Sequence, residues 1–207
     1  MSPAAAGVPA GYAVNEIITG LDTPTAVDVA PNGTIFVTEK RGRLLRYDGP
    51  GDQTPTVVAD RRVQTHNNSD RGMVGLAVNP NYPNDPWVYV AYTLDRNPNG
   101  GAIPAYGVVG GNYDPCPNSG TTGCPALSRV VRFNGTIANA PEQVLFEGHC
   151  QQFPFHSVGD LVFESADSLL VSFGEGSTGS FVEYGQRGNL CADPPGAAGT
   201  NLSRTND

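Results

Sequence analysis

Two apolar residues in alternation, a turn and a second alternating pair occur three times along this chain. In the first copy Val27 and Val29 lead into Pro31-Asn32-Gly33, then Ile35 and Val37. In the third, Leu161 and Phe163 lead into Glu164-Ser165-Ala166-Asp167, then Leu169 and Val171 at the same offset. The second copy has Leu76 and Val78, a longer turn from Asn79 to Pro86, and then Val88 and Val90. Alternation with period two marks strands buried on one face. Asn32-Gly33 between such runs predicts a type I′ hairpin turn with both residues at positive φ. Polar–apolar strands follow at Arg43–Tyr47 and Ser128–Phe133. The spacing from Val27 to Leu76 is 49 residues and from Leu76 to Leu161 is 85. The excess falls in a Gly-, Pro- and Asn-rich stretch near 95–125, which reads as a loop insertion.

A repeat of this length, built from three or four short strands without helical periodicity, predicts an all-β fold: a β-propeller of four-stranded antiparallel blades. The competing architecture is a β-sandwich whose hairpins resemble one another by accident. Residues 1–11 read as an N-terminal extension and 12–207 as a partial propeller of about three blades. Propellers close with roughly 4–8 blades, so the remaining half of the ring is an expected partner.

Composition excludes several functions. The chain carries a net charge of -8 and its arginines are scattered (Arg41, Arg43, Arg46, Arg61, Arg62), so nucleic acid is not an expected partner. No apolar run reaches the 18 or so residues of a membrane span. The start, Met1 to Gly7, lacks the basic and apolar regions of an uncleaved signal peptide, so a signal has been removed or the chain is a piece of something larger. Cys116, Cys124, Cys150 and Cys191 have no zinc-type or redox-type CxxC spacing and suit two disulfides in an oxidising compartment, secreted or periplasmic. Of the three possible connectivities, proximity favours Cys116–Cys124 inside the insertion, leaving Cys150 with Cys191. The sequons at Asn32, Asn67, Asn134 and Asn201 are compatible with secretion, but are expected by chance in a chain this rich in Asn, Ser and Thr.

Four stretches in register carry a resemblance: Leu21-Asp22-Thr23-Pro24-Thr25-Ala26-Val27, Ile35-Phe36-Val37-Thr38-Glu39-Lys40-Arg41-Gly42, Arg71-Gly72-Met73-Val74-Gly75-Leu76-Ala77-Val78-Asn79-Pro80, and His156-Ser157-Val158-Gly159-Asp160-Leu161-Val162-Phe163. In order, they resemble the amino-terminal half of the glucose/sorbosone dehydrogenases, soluble quinoproteins. The resemblance implies a six-bladed propeller that holds pyrroloquinoline quinone with the help of calcium and oxidises the anomeric hydroxyl of an aldose.

It also implies site residues. The family's His-x-x-Gly histidine, the base on that hydroxyl, corresponds to His156, and an imidazole with an ordinary pKa near 6.5 accepts a proton near neutral pH. Asp70, before Arg71 and Gly72, stands where the family often presents a side-chain amide to the quinone and sugar, which places Asp70 and Arg71 in the pocket wall. A carboxylate there can accept a sugar hydroxyl but repels the acidic cofactor. Gly174-Glu175-Gly176 ends the third hairpin where the family has Gly-Asp. His66 and His149 fall on no motif and read as structural. The resemblance implies that the family's cofactor cations and calcium ligands lie beyond residue 207, so no metal ligand is assigned. A non-catalytic propeller for carbohydrate or protein recognition is the alternative, since a fold by itself implies no chemistry. A hydrolase on His156, Ser157 and Asp160 is disfavoured because neighbours on an extended strand point to opposite faces.

Overall fold

The structure, a computed structural model, describes residues 8–107, 113–176, 188, 190 and 191. Met1 to Gly7 and the Asn201 sequon lie outside these residues. Ten strands form three antiparallel sheets. The first contains β1 (Pro24–Val29), β2 (Ile35–Glu39), β3 (Arg43–Tyr47) and β4 (Thr56–Asp60) in chain order. The second contains β5 (Met73–Val78), β6 (Trp87–Leu94), β7 (Ala126–Asn134) and β8 (Gln143–Gln151), again in order. The third pairs β9 (Val158–Ser165) with β10 (Ser168–Phe173). Two complete blades and the inner hairpin of another are therefore described, each a meander.

The repeated pairs oppose one another in the same register: Val27 with Val37 and Val29 with Ile35, Leu76 with Val90 and Val78 with Val88, Leu161 with Val171 and Phe163 with Leu169. The first turn differs from expectation. Gly33 has φ 89° while Asn32 is not among the positive-φ residues. Ala30 N–H donates to Thr34 O at 2.8 Å, closing a three-residue loop in which Pro31 and Asn32 make an ordinary turn and glycine takes the left-handed position. The fixed φ of Pro31 favours this loop over a two-residue I′ turn.

Both faces of strands β5 and β6 of the second sheet are buried, so the blades stack. On β6, Val88, Val90, Tyr92 and Leu94 pack with Phe36, Leu44 and Val58 of the first sheet. The alternate residues Tyr89 and Ala91 pack with Leu161 and Phe163 of the third, the Tyr89 and Phe163 rings meeting edge-on at 5.2 Å. Inner strands β1, β5 and β9 are neighbours and line a cavity of about 680 Å³. Asp28 ties two of them by accepting Val78 N–H at 2.8 Å.

The outer faces of the stack remain apolar. Ile18 and Leu21 cover part of the first sheet, yet Val27 and Val29 are 66% and 57% exposed, and Val162 and Leu170 of the third sheet 56% and 51%. Apolar sheet faces of this kind associate. Sedimentation of the 207-residue chain is expected to show a mass that rises with concentration, and Val29→Lys with Leu170→Lys to reduce it. A monodisperse wild-type monomer at micromolar concentration would contradict this.

Candidate functional site

Three equivalent backbone bonds fix the start of each inner strand. Lys40 N–H donates to Thr23 O (2.9 Å), Thr93 N–H to Gly72 O (3.0 Å) and Gly174 N–H to Ser157 O (2.8 Å). With the strand registers, they make Asp22, Arg71 and His156 equivalent in the three repeats, and likewise Arg41, Leu94 and Glu175. All lie on the face where the inner strands begin. The repeat thus presents one pair of side chains per blade at this face.

In the third repeat the pair is His156 and Glu175, which hydrogen-bond through His156 Nδ1 and Glu175 Oε1. A carboxylate only accepts, so Nδ1 carries the proton and Nε2 becomes the basic nitrogen. The His156 side chain is half exposed, 49%, and that of Glu175 is 25% exposed. His156 holds a left-handed backbone, φ 51°, unusual for a residue with a Cβ. Among the described residues two bonds secure it: His156 N–H donates to Asp70 Oδ2 at 2.9 Å, and Gly176 N–H donates to His156 O at 3.0 Å. Gly174 is required beside it, because a Cβ there would stand 2.1 Å from His156 O.

The structure thus brings Asp70, His156 and Glu175 together. Asp70 is exposed at the site but commits one oxygen to the backbone of the histidine. Glu175 is legible in the sequence only as a variant of the hairpin end; the equivalence with Arg41 in the first repeat is the signal that points to it.

Arg71 corrects the expectation of a pocket-wall residue: it is fully buried. Its guanidinium donates to Cys124 O (2.7 Å), Gln151 O (2.5 Å) and Phe153 O (2.9 Å), and to His66 Nδ1 (3.0 Å). The insertion and the β8–β9 link close over the position that is open in the third repeat. Burial lowers the Arg71 pKa to about 9, so the side chain stays cationic at neutral pH. Two disulfides, Cys116–Cys124 and Cys150–Cys191, lie on the segments that enclose it. The Ser157 hydroxyl is buried and has no hydrogen-bond partner among the described residues, so it forms no dyad with His156.

His66 and His149 have structural partners. His149 Nε2–H donates to Gly174 O at 2.7 Å, bracing the residue next to Glu175. His66 Nδ1 faces the Arg71 donor, so Nε2 carries its proton and donates to Pro115 O at 3.2 Å. Burial, then the charge of Arg71, lowers the His66 pKa to about 3. A depressed histidine leaves the unfolded chain binding the extra proton, so the stability it contributes is present above pH 6.5 and is lost as pH falls toward 3. Asp95 and Asp114, raised chiefly by burial, act in the opposite sense at acid pH. Urea midpoints are therefore expected to fall between pH 7.5 and 5, where these carboxyls contribute least. A flat profile over that range would exclude a buried neutral His66.

Among the described residues, the groups bonded to His156 do not form a cradle for an acidic quinone. Asp70 and Glu175 are both carboxylates, of the same sign as the acidic groups such a cofactor carries. Nor do the described residues include a group of three or more His, Cys, Asp or Glu side chains able to hold a metal ion. No helix long and apolar enough to cross a membrane occurs among them.

The model of the glucose/sorbosone dehydrogenases matches residues 21–189, most of the chain. The chain belongs to this family. It is 28% identical over 83 residues to quinoprotein glucose dehydrogenase B of Acinetobacter calcoaceticus, an alignment covering 40% of this chain and 17% of that protein. Its fold matches a putative oxidoreductase (glucose dehydrogenase) of Thermus thermophilus, with a TM-score of 0.56 at 23% identity, covering 78% of this chain and 39% of the other. It also matches the PQQ-bound aldose sugar dehydrogenase of Streptomyces coelicolor, with a TM-score of 0.55 at 17% identity, covering 82% and 43% respectively. The chain spans less than half the length of these family relatives.

Proposed function

We propose that this chain supplies the proton-accepting side of an aldose dehydrogenase site. The observation that carries the reading is the His156–Glu175 pair on a backbone pinned by Asp70. His156 Nε2 takes the proton of the anomeric hydroxyl as hydride leaves the same carbon, and Glu175 stabilises the imidazolium that results. Asp70 holds the imidazole in position, and its second oxygen is suited to accept a sugar hydroxyl.

Pyrroloquinoline quinone, when bound, supplies the hydride acceptor in this reading. Its acidic groups and the calcium ion would be held by residues other than those around His156, in the remaining half of the propeller. The two disulfides support an extracytoplasmic setting, secreted or periplasmic.

The test is reconstitution of the parent protein, with the remaining half of the propeller present, with the quinone and calcium, followed by dye reduction on addition of an aldose. Reduction that requires quinone, calcium and sugar is expected. Sugar binding without dye reduction would favour the non-catalytic recognition module instead.

A further inference from the structure

The first repeat carries a second polar pocket at the same face. Asp22 and Arg41 occupy the positions that His156 and Glu175 hold in the third repeat, and their side chains approach to 3.6 Å. Beside them stands Lys40, the chain's single lysine. Asp22, Thr23, Lys40, Arg41, Asn67 and Tyr113 line a cavity of about 300 Å³, at the small end of ligand sites.

Lys40 Nζ donates to the neutral amide oxygen of Asn67 at 2.7 Å. An ammonium has three N–H donors, and among the described residues the other two meet no acceptor. No carboxylate forms a salt bridge with it among those residues; Asp70 and Asp114 act on it only through space. Burial dominates and lowers the Lys40 pKa, which means that the cation lacks a full counter-charge. Tyr113, 67% exposed, lies with its ring centroid 5.4 Å from Nζ and offers an aromatic face to the cavity. Two cations, one of them without an ionic partner among the described residues, and an exposed phenol ring suit a small ring that bears a carboxylate.

We infer that the Lys40 pocket is a subsite for the carboxylate of an acidic sugar, with Lys40 and Arg41 as its cationic contacts and Tyr113 against the sugar ring. This rests on the reading of the face as a sugar-handling one and narrows its substrates to uronic acids or saccharides that carry one.

The single lysine makes the subsite directly observable. Acylation of Lys40 by an N-hydroxysuccinimide ester needs the neutral amine, so a bound carboxylate that pairs with the ammonium and covers it slows the reaction. Peptide mapping is expected to show Lys40 acylated about five-fold or more slowly in glucuronate, and unchanged in equal glucose, the scale of a partly neutralised contact. By calorimetry, Lys40→Met is expected to weaken glucuronate binding about ten-fold or more, and Lys40→Arg to retain it, as one lost charge-assisted hydrogen bond would require.

Equal protection by glucose and glucuronate, no protection by either, or unchanged binding in Lys40→Met would overturn the assignment. Neither measurement uses turnover. Protection that persists in His156→Ala separates this subsite from the dehydrogenase chemistry, so either can fail without the other. Protection lost in a folded His156→Ala protein would count against a separate carboxylate subsite.

Discussion

In the parent protein with its propeller complete, alanine at position 156 is expected to lower the rate of sugar oxidation by roughly 10²–10⁴, the usual contribution of a positioned general base, with quinone binding nearly unchanged. The loss should fall mainly on kcat, because the imidazole acts on the proton that moves and contributes little to holding the sugar. Glu175→Gln is expected to fall between wild type and His156→Ala. An amide can bond to His156 Nδ1 but carries no charge to stabilise the imidazolium, and as a donor it can turn the ring to the opposite tautomer. The pH profile separates these roles. Loss of the base removes the acid limb of kcat/KM, whereas Glu175→Gln, which keeps the imidazole, retains it. The decisive comparison is turnover itself. Equal turnover in His156→Ala and wild type would remove His156 from the mechanism.

The blades are legible in the sequence because their signal is local. Val27 with Val29, Leu76 with Val78 and Leu161 with Phe163 declare strands by alternation, and the paired registers follow from the equal offset in the first and third copies and the longer turn in the second. The pairing of His156 with Glu175 is not legible from either residue alone. It depends on β10 returning beside β9 so that the residue after Gly174 meets the one before Ser157, a consequence of register across the hairpin. The turn at Pro31-Asn32-Gly33 departs from expectation for a related reason: Asn-Gly sets a preference, but the preceding proline and the pairing of Ala30 with Thr34 set the loop length. Arg71 shows the limit most clearly. Its position in the repeat matches that of His156, yet burial there depends on a distant insertion and on carbonyls from β8 onward, which no neighbouring residue announces.

Arg71→Met is expected to destabilise the protein by about 3–5 kcal/mol, a large share of the roughly 5–15 kcal/mol that holds an ordinary domain. The guanidinium satisfies the carbonyls of Cys124, Gln151 and Phe153 and the lone pair of His66 Nδ1, all within a site closed to solvent. Removing it leaves four acceptors without a donor, each costing about 1–3 kcal/mol when buried. Part of that loss is offset, because the cation itself is costly to bury and no carboxylate forms a salt bridge with it among the described residues. Arg71→Lys is expected to recover only part of the stability. Lysine keeps the charge but replaces a planar fork that reaches two sets of acceptors with a single ammonium. Urea denaturation at pH 7.5 tests this, and an Arg71→Met midpoint within about 1 kcal/mol of wild type would mean that the four acceptors find other donors. The consequence reaches the site through Pro154: it follows Phe153, and its carbonyl accepts Asp70 N–H at 3.0 Å. Asp70 in turn holds the backbone of His156. Arg71 therefore acts as a positioning residue, and even where Arg71→Lys remains folded its turnover is expected to fall, on kcat more than on KM.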